Sequence, residues 1–300
     1  MKHDDQRTGA AVIADSISPD GYRITTMQLY IPRYLLAELN THRMIAKSAA
    51  SSRAVPVKRR VHMVEQEPYK PVSFGANKPG MQDGGDLDAV SQRRASKVWA
   101  KAAQAMARFA KELDDLGVHK QYANRLLEPF VYVPAVITAT ELDNFFKLRA
   151  NEEADPGFQI GANKIRRALD VSVPKRLDVG EWHAPYLTDA DDDLDLPSKL
   201  KVSAARCARV SYWTHDGRKT PANDDLALAQ RLLDSGHMSP FDHQATPANP
   251  HAYESPLHLE RDMRQFVGWV PYRVSVEAAS NMECRRFYKG ALGNDKGSTR

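Results

Sequence analysis

His42, Arg43, Ser51, Ser52 and Arg53 fall within a single stretch, RYLLAELNTHRMIAKSAASSRAVPVKRR, residues 33–60. An imidazole, two guanidiniums and two hydroxyls this close together can bind an anion. Arginine offers phosphate a bidentate fork, and hydroxyls add neutral donors. The element expected to carry them is a helix. Pro32 stands where a first-turn proline is tolerated, and Leu35, Leu36 and Leu39 recur at helical spacing. If that helix persists, His42, Ala46, Ala49 and Arg53 share one face, with two alanines leaving room for something flat between imidazole and guanidinium. Pro56 ends the regular structure. The same residues also read as an amphipathic helix with a solvated basic end, because Lys58, Arg59 and Arg60 follow. Spacing alone leaves both readings open.

Other elements must hold this stretch in place. Residues 1–21 read as a polar, partly disordered lead-in. Arg23–Ile31 reads as a strand, with Met27, Leu29 and Ile31 alternating with Gln28 and Tyr30. Val64–Gly85, rich in proline and glycine, is a loop that serves either as a lid or as a surface insertion. Leu87–Leu116 is a long helix with Val90, Trp99, Ala103, Met106, Phe109 and Leu113 as its apolar positions. Val118–Leu127 is a short helix carrying His119, Lys120, Gln121, Asn124 and Arg125, and Phe130–Thr138 is a strand. Thr140 caps the next helix, which turns Phe145 and Leu148 inward and leaves Asn144 and Arg149 at a pocket edge. A further helix includes NKIRRAL, near residue 165. An acidic, solvated linker at 189–199 divides a half at 22–188 from a half at 200–300, the two forming one integrated domain. The second half opens with helices from Leu200 to near Ser211 and over Asp224–Asp234; its Trp269 and Tyr272 are assigned to core packing. Strands interleaved with helices make the class α/β, of the α+β kind.

Composition narrows the function. Three hundred residues, 42% apolar and 27% charged, describe a soluble globular chain with length for a sizeable core. A net charge of +4 suits a small anionic substrate and does not demand nucleic acid. No run reaches the length of a membrane-spanning helix, and MKHDDQRTGA has no apolar signal core, so a cytoplasmic location is expected. Cys207 and Cys284 make neither a metal spacing nor a disulfide framework, and no metal site is expected.

Thr41-His42-Arg43, seven residues, Ser51, then Ser52-Arg53 resembles the signature of the flavin-dependent thymidylate synthases: Arg-His-Arg, seven residues, Ser, any residue, Arg. Thr41, Ala46 and Ala49 stand where that signature has Arg, Ser and Glu, and Glu38 stands where the family usually has Gln. RLLEPF, a strand and TELDNFFKLR are similar to the family's Arg-x-x-x-Pro, strand, and helix with Asn and a terminal Leu-Arg. Glu153-Ala154-Asp155 stands where the family has His-Ala-Gln. Arg206-Cys207-Ala208-Arg209-Val210-Ser211-Tyr212 resembles Arg-Ala-Ala-Arg-Val-Ser-aromatic, and GHMSPFDH, residues 236–243, resembles Gly-His-x-Ser-Pro-Phe-Glu-His. In ordinary members the latter two motifs come first. Here they come last, as in a circularly permuted relative.

The resemblance implies the family's fold, a mixed sheet with long flanking helices, here with permuted motif order. It implies that β-strand Arg23–Ile31 shares a sheet with the segment after His243. It implies C5 methylation of dUMP to dTMP by FAD, with NADPH and methylenetetrahydrofolate as co-substrates and no enzymatic nucleophile. Arg53 and Arg149 become the catalytic candidates. Glu38, Ser51, Ser52, Arg53, Arg125 and Arg149 become the nucleotide-binding set, and His42, Arg43, Asn144, Ser239 and His243 the flavin-binding set. A homotetramer with sites between subunits is implied, so that Arg125 and Arg53 come from different chains. Glu38 and Ala49 leave open another C5 modification, such as hydroxymethylation. A non-catalytic nucleotide- or nucleic-acid-binding protein on the same fold is the alternative from another class.

Overall fold

The computed structural model describes residues 5–80, 82–211 and 220–279, with the backbone alone for Ser211. Tyr212, the aromatic that closes the Arg-Val-Ser motif, and Cys284 lie outside the described residues. The first correction falls at the amino-terminal end. Gly9–Ile17 is strand β1, not a polar lead-in, and it pairs antiparallel with β2, Arg23–Pro32. Ala10, Ala11 and Ala14 are too small to show a clear hydrophobic alternation, and it is the ladder to β2 that holds them extended.

β2 is flanked on its other side by β4, Tyr132–Ala139, also antiparallel. β4 in turn pairs with β3, Ile45–Ala49, and β1 pairs in parallel with the short β5, Lys175–Arg176. The order is β3-β4-β2-β1-β5, a mixed sheet. All eight residues of β4 are buried, which explains its continuous apolar run.

The continuous helix expected over residues 33–60 does not form. A 3-10 turn at Arg33–Leu35 passes into α1, Leu36–Leu39, and Thr41 donates its hydroxyl to the Glu38 carbonyl at 2.6 Å. The chain then extends into β3, turns, and only at Val57–Gln66 becomes helical again as α2. Helix propensity is a weak prior, and an open edge on the buried β4 offers a complete backbone ladder instead. His42, Ala46, Ala49 and Arg53 therefore do not share a helical face.

One face of the sheet is apolar. Met27, Leu29, Ile31, Ile45 and Ile137 pack there against Phe145, Phe158, Ala162 and Ile165. These last come from α5, Asp143–Arg149, and α6, Pro156–Asp170. Asp155 caps α6 by accepting from the amides of Gly157 and Phe158. Thr140 does not cap α5 as expected; its hydroxyl accepts from the Val267 amide. Phe145 is buried as expected, but Leu148 is exposed.

The opposite face is partly polar and is covered by α7, Leu196–Ser211, and by the 3-10 turn Ser239–Asp242. Next to them lie α8, Ala222–Asp234, and a separate two-stranded sheet, β6, Ala245–Pro247, with β7, Trp269–Pro271. The segment after His243 thus pairs with β7 and not with the sheet of β2, which corrects the expected shared sheet. β2 has no free edge, because β1 and β4 occupy both. Trp269 is fully buried, in line with its assignment to packing.

A third layer joins α2 to α3, Ala89–Asp115, and to the short α4, Lys120–Ala123, with the 3-10 stretch Asn124–Phe130. α3 buries Ala103, Ala107 and Ala110 against Val57, Val61 and Val64, while Val90 and Phe109 are exposed. α9, Pro256–Met263, completes the described elements with a helical segment over 272–279. The acidic stretch is not wholly solvated: Asp191 is buried against Arg206, whose guanidinium approaches its carboxylate at 2.6 Å.

Candidate functional site

The turn after β3 presents Ser51 and Arg53, and five buried or partly buried contacts explain why it sits where it does. Asn124 donates to the carbonyls of Ser52 and Val55, both at 2.8 Å. Ser52 donates to Glu128, and Arg33 donates to the Ala50 carbonyl at 2.6 Å and pairs with Glu128 at 3.1 Å. Within the turn, Ser51 Oγ accepts from the Arg53 amide at 3.2 Å. Arg53 is left exposed at the mouth of a cleft of about 650 Å³.

Lys47, Ser51, Arg53, Lys120, His237 and Ser239 supply the polar side of that cleft, and Ala208, Leu232 and Pro240 its apolar wall. Among the described residues, no aspartate or glutamate lines it. A concave surface with cations and hydroxyls and no carboxylate attracts a small anion. Lys47 is half-buried; burial lowers its pKa, and its ammonium donates to the His42 carbonyl at 2.6 Å.

A second cavity, about 700 Å³, is lined by His42. Thr41, His42, Arg43 and Met44 form one wall, and residues 140–145 with Leu148 form the other. Met44 and Leu148 give exposed apolar surface beside the exposed Arg43, Glu141, Asp143 and Asn144. Apolar surface bordered by such groups fits an aromatic ring system with polar edges. His42 is buried between the two: its Nε2 accepts from Arg149 Nε at 3.0 Å, and its ring meets Phe145 edge-on. Burial first, then the charges of Arg149 and Lys47, push its pKa below the ordinary value, so it is neutral at pH 7.

The structure divides the two sets of candidates. Of the nucleotide set, Ser51 and Arg53 share the cationic cleft. Ser52 is buried and turned to Glu128. Arg149 pairs with Glu38, donates to His42 and lies 5.1 Å from the Phe158 ring centroid, so neither Arg149 nor Glu38 lines either cavity. Arg125 is exposed away from both. Of the flavin set, His42, Arg43 and Asn144 share the second cavity, while Ser239 belongs to the cationic cleft. His243 lines neither. It is fully buried, with Nδ1 at 2.9 Å from the Thr138 hydroxyl and Nε2 at 3.0 Å from the Ser48 hydroxyl, and burial pushes its pKa down to about 3. The arginines of the Arg206–Val210 motif are structural: Arg206 and Arg209 both bond the buried Asp225, at 2.9 and 2.7 Å. Among the described residues no cluster of three or more metal-ligating side chains occurs, and no helix is long and apolar enough to cross a membrane.

Sequence reading passed over Lys47 and Ser48, and named Asn124 only as one polar residue of the helix at 118–127. Asn124 could have been suspected as a polar residue amid Ala123, Leu126 and Leu127; Lys47 and Ser48 carried no signal once the stretch was read as helix.

The profile of the family described as Thymidylate synthase complementing protein matches residues 22–175. No curated protein sequence matches the chain. Among solved structures, a UMP/dUMP methylase PolB from Streptomyces cacaoi bound with 5-Br UMP is similar at 15% identity and a TM-score of 0.44, covering 54% of this chain and 88% of that one. The same methylase bound with 5-Br dUMP is similar at 17% identity and a TM-score of 0.40, covering 49% and 67%.

Proposed function

The chain belongs to the thymidylate synthase complementing protein family, and from that premise we propose that it is a flavin-dependent C5 methyltransferase acting on a pyrimidine nucleotide, dUMP to dTMP. The observation that carries the reading is the cationic cleft, lined by no carboxylate among the described residues, which joins the Ser51–Arg53 end of one motif to Ser239 of another. In this reading Arg53 and Ser51 hold the nucleotide phosphate, with Lys120 and Lys47 adding positive potential. Phosphate binding at an exposed rim leaves the pyrimidine directed inward, toward the apolar wall of Ala208, Leu232 and Pro240.

The second cavity is the candidate flavin site, with Arg43 and Asn144 as polar contacts and Met44 and Leu148 as apolar ones. When bound, FAD reduced by NADPH supplies the reducing equivalents for methylation, and methylenetetrahydrofolate supplies the carbon. Neutral His42, held by Arg149, fixes one wall of the second cavity and withholds a second positive charge from it. Cys207 supports a route without a cysteine nucleophile: it is fully buried, and burial raises its pKa, which suppresses the thiolate. Arg149, paired internally with Glu38, acts in this reading by positioning His42. Exposed Arg125 is then available to the site of a second copy, which makes a homo-oligomer part of the proposal.

The test is to titrate the purified protein with FAD and follow visible absorbance, then add dUMP, NADPH and methylenetetrahydrofolate and assay dTMP. Flavin uptake with dTMP formation is expected. A protein that takes up no flavin and forms no dTMP refutes the proposal.

A further inference from the structure

Five hydrogen bonds run in series across the polar face of the sheet. Ser16 Oγ meets His183 Nδ1 at 2.9 Å, and His183 Nε2 meets Thr26 Oγ1 at 2.8 Å. Thr26 Oγ1 meets Thr138 Oγ1 at 2.6 Å, Thr138 Oγ1 meets His243 Nδ1 at 2.9 Å, and His243 Nε2 meets Ser48 Oγ at 3.0 Å. All six side chains are buried. The pairing in the sheet explains the alignment. Thr26 faces Thr138 across β2 and β4, Ser16 lies opposite Ile24, and Ser48 lies opposite Val136.

The row has a polarity that can be counted. Burial pushes His183 to about 4 and His243 to about 3, so both are neutral at pH 7, and each donates once and accepts once. Four hydroxyls and two neutral imidazoles hold six polar hydrogens for five bonds. The sixth is left on one of the four hydroxyls; on Thr26 or Thr138, both fully buried and already committed to both neighbours in the row, it would be a buried donor without an acceptor, which leaves the two ends. At the Ser16 end the hydroxyl is buried, and its bond to His183 is the one contact recorded for it among the described residues. A hydrogen left there would be a buried, unsatisfied donor, whereas a spare lone pair costs much less. At the other end Ser48 lines the cationic cleft, where solvent or a ligand can accept.

We propose that Ser48 is a ligand-contacting residue of the cleft, presented as an obligate hydrogen-bond donor by a one-way relay from Ser16 through His183, Thr26, Thr138 and His243. The relay members are positioning residues: they touch no ligand, but they use up the acceptor capacity that would otherwise capture the Ser48 hydrogen. An obligate donor beside Lys47, Ser51 and Arg53 selects an anionic or carbonyl oxygen and disfavours a ligand group that must donate. This rests on the cleft being the nucleotide site, while the polarity of the relay does not.

Two measurements test it. The ring nitrogens of His183 and His243 are read by 15N NMR on the full chain at pH 7. Both are expected as Nε2–H tautomers; an Nδ1–H tautomer at His243 overturns the proposal. The Kd of dUMP is then measured by calorimetry. Ser48→Ala is expected to weaken it roughly tenfold, the loss of one hydrogen bond to a charged group, and Ser48→Thr to recover it. His243→Leu is expected to weaken it similarly and His243→Gln, which keeps a donor near the Nε2 position, to recover part of it. The double variant Ser48→Ala, His243→Leu is expected to be no weaker than Ser48→Ala alone, a non-additivity that general destabilisation would not give. Unchanged dUMP affinity in Ser48→Ala overturns the contact. If wild-type protein binds no dUMP, the nucleotide reading and the Ser48 contact fail together, and the tautomers still decide the polarity.

Discussion

Arg53→Ala is the perturbation that bears most directly on the cleft. Arg53 is exposed at the rim, and its backbone amide, not its side chain, makes the turn's bond to Ser51. The turn itself is held from below by Asn124, Arg33 and Glu128. Truncation is therefore expected to leave the fold intact and to act on the ligand. A charge pair at about 4 Å gives roughly 1 kcal/mol in bulk water and about 4 kcal/mol near a protein surface. The mouth of an open cleft lies between these limits, so about 2 kcal/mol is expected, a loss of roughly thirtyfold in affinity. The assay is calorimetric titration with dUMP at low and at physiological salt. The loss is expected to shrink as salt rises, because solvent-exposed charge is screened over about 8 Å at physiological ionic strength. Affinity unchanged within twofold, or a loss matched by a fall in thermal stability, would refute the phosphate role.

Three further outcomes follow from the same contacts. Asp225→Ala removes the fully buried carboxylate shared by Arg206 and Arg209 and is expected to cost about 3–5 kcal/mol, read as a fall in urea midpoint; a change under about 1 kcal/mol would contradict the arrangement. Trp269→Ala, which empties a fully buried site and removes the indole bond to the Tyr22 carbonyl at 3.0 Å, is expected to cost about 3–5 kcal/mol, measured the same way. His183 and His243 are held neutral in the fold but take up protons below about pH 6.5 when unfolded, so their contribution is intact above that pH and is lost as pH falls toward 4. Two such groups give a slope of up to roughly 3 kcal/mol per pH unit, and a urea midpoint that stays flat from pH 6.5 to 5 would show that the imidazoles are not buried as described.

The parts of this fold that were legible in the sequence are those where one physical effect dominates. β2 declared itself because Met27, Leu29 and Ile31 all enter the same core, and β4 because it is buried on both faces. α3 was placed by its periodicity, although the alanines, rather than Val90 and Phe109, make the contact with α2. β3 was misread because Ile45–Ala49 has no strand-like composition; its conformation is set by β4, more than eighty residues downstream. β1 was hidden for the same reason. The site residues divide along this line. Ser51 and Arg53 were identified by a motif and do line a cleft, but Lys47 and Ser48 become visible only after the stretch is known to be a strand. His243 was assigned to the flavin set by the resemblance, yet its imidazole is satisfied twice within the protein, which no local pattern could have revealed.

The cleft has two walls that are distant in sequence. Ser51 and Arg53 follow β3, and Ser239 and Pro240 belong to a turn nearly two hundred residues later. What joins them is not covalent. The His243–Ser48 and His243–Thr138 bonds tie the turn to β3 and β4, and the backbone pairing of His183 with Ala245 ties the loop after β5 to the start of β6. Loop-closure entropy grows only slowly with the length of chain enclosed, so a junction across this span is costlier than a local one by only a few kcal/mol. Burial of Phe241 and Trp269, with the hydrogen bonds that satisfy the two buried imidazoles, supplies the offsetting interactions. The order of the segments along the chain is then of little consequence for the site: the same bonds would bring the same walls together wherever the chain began. Stability and ligand recognition are coupled at this junction, because the groups that dock the second wall are also those that fix the hydroxyl of the first.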